Sequence, residues 1–186
     1  MRLTGRAMIR SMWRLVVLSL LLPLTAWAQP PRVQEPEQSR PWAVYFSSEG
    51  GAAQAVVEAL GRAKQSVRVQ AVALNAPEIM QALVDAHRRG VGVEVILNGD
   101  RSSGPGSAAT LAQAGIRTLR DAAHSATATN AMVIDHQVVI TGSFSLAPPA
   151  EGSLLVIHDP TLAGRYSDNW QLHAAHSERY STQPGR

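Results

Sequence analysis

The sequence predicts an α/β domain, a mixed β-sheet with helices on both faces. Three observations carry that prediction. Short β-branched apolar runs alternate with segments whose apolar residues recur at three- and four-residue spacing. Glycine, proline and aspartate punctuate the points where the period changes. The 186 residues are 45% hydrophobic and contain no cysteine, so a single core must form without disulfides.

Each element can be justified in turn. Residues 42–46 are an apolar strand that ends at Ser47, Ser48, Glu49 and two glycines. Ala52, Ala55, Val56, Ala59, Leu60 and Ala63 then fall on one helical face. Residues 66–74, with Val67, Val69 and Val72, read as a strand. Pro77 suits a first helical turn, Ile79, Met80, Leu83 and Val84 form the apolar stripe behind it, and Gly90 ends that helix. Residues 91–97 form a third strand, apolar enough to lose strict alternation.

The Gly- and Ser-rich stretch 99–107 reads as a loop into a short helix over 108–114, followed by a brief strand at 116–119. Two strands, 131–134 and 138–141, are joined by a tight turn at Asp135, His136 and Gln137. A strand at 154–157 precedes a last helix over 160–175, with Leu162, Tyr166, Trp170 and His173 on one face.

The N-terminal segment is of another kind. Arg2, Arg6, Arg10 and Arg14 precede an apolar run over 15–24, then Ala26, Trp27 and Ala28 and a polar stretch. This is the layout of a secretory signal peptide cleaved after Ala28. Residues 15–28 are short of the ~20 a membrane-spanning helix needs. Residues 29–41, with four prolines, read as a linker, 42–180 as the folded domain and 181–186 as a tail. The expected product is periplasmic or secreted, with no membrane anchor. Removing residues 1–28 takes four arginines and no acidic group. The remaining 158 residues hold 13 basic and 14 acidic side chains, a formal charge of −1 where the whole chain has +3. The basic character belongs to the export signal, so any grip on nucleic acid must come from a local patch.

Several segments in order carry a resemblance: SSEGGA, VRVQA, ALVDAHRRGVGVEVIL, AQAGI, MVIDHQVVITGSFS, SLLVIHDPTLAGRYSDNWQLH and AHSERY. Over residues 42–180 the chain resembles the small secreted bacterial endonucleases of the phospholipase D superfamily. The resemblance implies a phospholipase D-like sandwich and a motif of His, Lys two residues on and Asp five after that, followed by GSxN. It also implies one motif per chain and a homodimer that brings two motifs together. One His attacks phosphorus, and the other protonates the leaving oxygen. Lys and Asn stabilise the developing charge, and the Asp supports a His. No cofactor or metal is implied.

On this chain the Asp position is Asp135, but the nucleophile position is Ala128 and the Lys position is Asn130. Gly142 and Ser143 remain from GSxN, with Ser145 at the Asn position. Where relatives carry an acidic–amide pair before the next strand, this chain has Gly152 and Ser153. Asp135 is thus the retained catalytic-motif residue, and Ser143 and Ser145 are the remaining phosphate-binding candidates. The expected function is a catalytically inactive binding or interaction protein, a homodimer with a possible nucleic-acid or phosphodiester ligand. The alternative is an active metal-independent phosphodiesterase, of nuclease or phospholipase D type, using His124 as a displaced nucleophile.

Other candidates read more plainly. His136 is a turn residue, and His158 precedes a helix cap. Asp85, Arg88 and Arg89 form a solvated helix end. Trp42, Tyr166 and Trp170 are core or dimer-contact residues. The SSGPGS stretch at 102–107 lacks a P-loop lysine. His173 and His176 can share a helix face, but no third metal ligand is evident beside them, so no metal site is expected.

Overall fold

The computed structural model describes residues 41–180, apart from 50, 73, 75, 98–103, 122–129 and 145–151. The expected signal segment, most of the linker and the tail lie outside the described residues. Strands β1 (Trp42–Phe46), β2 (Ser66–Ala71), β3 (Gly92–Leu97), β4 (Arg117–Arg120), β5 (Ala131–Ile134), β6 (Val138–Gly142), β7 (Ser153–His158) and β8 (Glu178–Arg179) form one sheet. Its order is β1-β7-β6-β5-β2-β3-β4-β8. The β2–β3 and β3–β4 pairs are parallel and the others antiparallel, as a mixed sheet requires.

Helices α1 (Ala52–Arg62), α2 (Pro77–Arg88), α3 (Gly104–Gln113) and α4 (Pro160–His176) cover the sheet. Strand periodicity sorts the core into two layers. Val67, Val69, Val93, Val95, Met132 and Ile134 pack with Val56, Leu60, Leu83 and Leu111 of the first three helices. The intervening residues point the other way. Ile96 and Leu119 meet Trp170 of α4, and Val133 and Val139 meet Ala163. Helices therefore lie on both faces, and each fully buried Leu or Ile contributes roughly 1.5–3 kcal/mol.

Local chemistry sets the helix ends. Pro77 occupies the first turn of α2, and Gly90 at φ +90° terminates it with its N–H on the His87 carbonyl. Asp159 caps α4, its carboxylate accepting from the Thr161 and Leu162 N–H groups at 2.8 and 3.0 Å. His158 directly precedes this cap, and His136 sits exposed in the β5–β6 turn at φ +57°.

The structure corrects several sequence expectations. Helix α3 starts at Gly104 rather than 108, because a proline in the first turn does not interrupt a helix. Strand β2 stops at Ala71 rather than 74, where its pairing with β5 runs out after Gln70–Ala131. Strand β8, two exposed polar residues at the sheet edge, carries no apolar pattern to announce it. Arg89 is not merely solvated, since its guanidinium donates to the Leu60 carbonyl at 2.8 Å and ties α2 to α1. Trp42 is no core residue. It is 46% exposed, and Val44 and Phe46 are exposed beside it along one face of β1.

Candidate functional site

The segment that the resemblance aligns with the family motif runs along β5, the turn and β6, so the strand itself separates its members. Asn130 sits immediately before β5, and Asp135 immediately after it. Five residues of near-extended chain span on the order of 15 Å. The structure therefore does not bring Asp135 together with Asn130 and Ser143.

Asp135 serves the far end of the sheet. Its carboxylate accepts from the backbone N–H groups of Lys64, Gln65 and Ser66 at 2.9, 2.7 and 2.9 Å. Burial raises its pKa, but those backbone donors and the nearby Lys64 charge outweigh it and hold the carboxyl below the usual carboxylate range. Asp135 also adopts φ +53°, a left-handed turn conformation that Asp tolerates better than most residues. It ties the start of β2 to the β5–β6 turn.

Asn130, which the resemblance aligns with the family's Lys, turns its side chain to neighbouring backbone. Its Oδ1 accepts from the Val72 N–H at 3.3 Å, and its Nδ2 donates to the Phe144 carbonyl at 3.1 Å. The Thr141 hydroxyl donates to the Asn130 carbonyl at 3.2 Å. The side-chain amide thus pairs a donor leaving β2 with an acceptor just beyond β6. A lysine could not accept from Val72, because an ammonium has no acceptor.

Ser143 and the Gly152–Ser153 pair meet directly. Ser143 Oγ accepts from the Ser153 N–H at 3.0 Å and lies 3.4 Å from Ser153 Oγ. Gly152 has φ +113°, and a Cβ there would stand 2.6 Å from the Ser143 carbonyl oxygen. Gly142 is similarly confined, with a Cβ falling 2.2 Å from the Ser153 carbonyl oxygen. The Ser47 hydroxyl accepts from the Gly152 N–H at 2.9 Å, and the Ser47 N–H donates to the Gly152 carbonyl at 3.0 Å. No side chain, acidic or otherwise, fits at position 152 without moving backbone.

A shallow depression of about 10 Å³, room for roughly one water, lies at this end of β5 and β6. Asn130, Met132, Ile140, Thr141, Phe144 and Leu154 contribute to its lining, and no charged residue among the described residues does. A dianionic phosphate would meet no formal positive charge there among the described residues. Ala128, His124 and Ser145 lie outside the described residues.

A second cluster escaped sequence reasoning. Asp121 follows β4 and is 1% exposed. Its Oδ2 lies 2.7 Å from His173 Nδ1 and 3.3 Å from His176 Nε2 on the last turn of α4. The structure thus sets a third candidate donor beside the two histidines, where the sequence offered no evident one. Fifty-two residues separate Asp121 from His173, so only the β4–α4 packing reveals the contact.

Comparisons with known proteins bear on the fold and the family. Residues 56–171 match the family described as cardiolipin synthase, PLD-like domain. The chain is 31% identical to a phospholipase D of Rickettsia typhi over 136 residues, 67% of this chain and 64% of that protein. A phospholipase D of Rickettsia prowazekii is 30% identical over a similar span, 63% of its length. The chain thus spans somewhat under two thirds of the curated relatives it matches. Among solved structures, Nuc of Salmonella typhimurium, a phospholipase D family member, superposes with a TM-score of 0.70 at 32% identity, covering 76% of this chain and 98% of Nuc. NucT of Helicobacter pylori shares the fold at 14% identity and a TM-score of 0.64, over 75% of this chain and 98% of that one.

Proposed function

Because this chain belongs to the phospholipase D superfamily, with its cardiolipin synthase, PLD-like domain, we propose that it is a catalytically inactive member, exported and acting as a binding or interaction protein. The observation that carries the reading is Asn130. The residue at the phosphate-gripping Lys position is spent on two backbone groups of its own fold.

Three further features support it. Ala128 offers no nucleophile, and a homodimer cannot restore one because both copies carry the same alanine. Gly152 has no room for an acidic side chain. Asp135, the retained motif residue, acts on the β2 backbone at the opposite end of β5. General acid–base catalysis is typically worth ~10²–10⁴-fold, and one oriented charge-stabilising donor costs about 10²–10³-fold when lost. A chain lacking these and its nucleophile falls to the uncatalysed rate. What remains is a scaffold whose surface, in the monomer or the homodimer that the resemblance implies, engages a partner without turning it over.

Restoring the lost groups tests this reading. The triple variant Ala128→His, Asn130→Lys and Ser145→Asn should hydrolyse a chromogenic phosphodiester above the buffer rate, while the unaltered chain should not. Ultracentrifugation of both should find a dimer. Turnover by the unaltered chain that disappears in His124→Ala would overturn the proposal in favour of a displaced nucleophile.

A further inference from the structure

The geometry points to a zinc-type divalent-cation site formed by Asp121, His173 and His176, separate from the phosphodiesterase motif. The three donor atoms, one carboxylate oxygen and two imidazole nitrogens, all lie within 4.8 Å of one another. Tetrahedral zinc with bonds of about 2.0–2.1 Å sets its ligand atoms roughly 3.3 Å apart. The separation between His176 Nε2 and Asp121 Oδ2 is already 3.3 Å, and that for His173 Nδ1 is 2.7 Å. Modest side-chain rearrangement of the three donors, all within 4.8 Å of one another, would admit the ion.

The surroundings suit a cation. The fully buried Asp121 carboxylate draws both imidazoles onto one oxygen, so three metal-type donors converge on one point. Both histidines sit in the last turn of α4, where the helix dipole favours positive charge. Each ligand is also held in place. The Asp121 N–H donates to the Leu97 carbonyl at 3.1 Å, and the Ser177 hydroxyl donates to the His173 carbonyl at 2.7 Å. Trp170 of the same helix packs on Ile96 and Leu119, and its indole N–H donates to the Val69 carbonyl at 3.0 Å. That packing fixes the end of α4 against the end of β4.

The donor set selects the ion. Two imidazoles and one carboxylate suit zinc and neighbouring transition metals, while magnesium and calcium favour oxygen donors. Three protein ligands leave a fourth position for water, for an oxygen of a bound partner or for a further protein group. A bound ion would pin β4 to α4 at the start of the segment 122–129, which carries Ala128. The assignment holds whether or not the motif is catalytic.

Isothermal titration of the chelator-stripped exported chain with zinc chloride tests it. One equivalent should bind per chain, with magnesium chloride giving no comparable heat. His176→Gln, at a position that is 39% exposed and tolerant of change, should weaken zinc by at least about 100-fold. Cobalt added to the unaltered chain should give the visible absorption of a tetrahedral N/O site, and His173→Ala should abolish it. Substoichiometric zinc binding, or binding unchanged in His176→Gln, would overturn the assignment and leave Asp121 in a hydrogen-bonded cluster only. Circular dichroism of each variant separates loss of the site from loss of the fold.

Discussion

At the scale of the residue, Asn130, Asp135 and Gly152 each hold neighbouring backbone in place. Asn130→Lys alone should destabilise the chain by roughly 1–3 kcal/mol, because a lysine cannot bridge the Val72 N–H to the Phe144 carbonyl as the amide does. Denaturant unfolding measures that directly. Gly152→Glu should cost at least ~1–3 kcal/mol in backbone strain, with displacement of Ser143 in addition, and should restore no activity. Asp135→Ala removes the acceptor of three backbone N–H groups and should cost about 1.5–3 kcal/mol at neutral pH. Since folding lowers the Asp135 pKa, its contribution is complete above the unfolded-state value of about 3.9. It fades as the pH falls through the lower folded-state value. The stability gap between the unaltered chain and Asp135→Asn should narrow under acid in urea titrations. A gap that widened there would place the carboxylate's role elsewhere.

Elements differ in how far the sequence announces them. Helices α1 and α2 and strands β1, β3 and β5 stand out because apolar spacing and their glycine and proline boundaries agree. The Asp135–Gln137 turn is equally legible, and its left-handed Asp135 and His136 follow from short polar turn chemistry. The start of α3 is hidden because its first turn is written in Gly and Pro, residues that also make loops. Edge strand β8 is hidden because pairing with β4 rests on backbone hydrogen bonds and not on side chains. The Asp159 cap is visible in advance as an Asp–Pro pair before an apolar stripe. Asp159→Ala should lower stability by about 0.5–2 kcal/mol, seen as a lower thermal midpoint. On the site, the resemblance aligns Ala128, Asn130 and Ser145 with the family's motif positions. It does not reveal that Asn130 bridges Val72 to Phe144, that Gly152 abuts Ser143, or that Asp121 meets His173. Those are contacts between strands and helices distant in the chain, set by the register of the whole sheet.

Across the whole molecule, the scaffold is that of the family, and the inactive reading proposed above concerns its site alone. The sheet order, the helices on both faces and the superposition on Nuc place the chain in the phospholipase D superfamily. Its charge offers no general attraction to nucleic acid once the N-terminal arginines are set aside, since the remaining residues sum to −1. The depression beside Asn130 adds no local positive charge among the described residues. Binding by residues 29–186 should therefore depend on shape and specific contacts more than on salt, and DNA retention should show a shallow salt slope in filter binding. Metal-independent phosphodiester hydrolysis by the unaltered chain, followed with plasmid DNA and a chromogenic phosphodiester in the presence of EDTA, tests the central claim most directly. A rate indistinguishable from buffer and from the His124→Ala variant is the predicted result. Sustained turnover above both would contradict it.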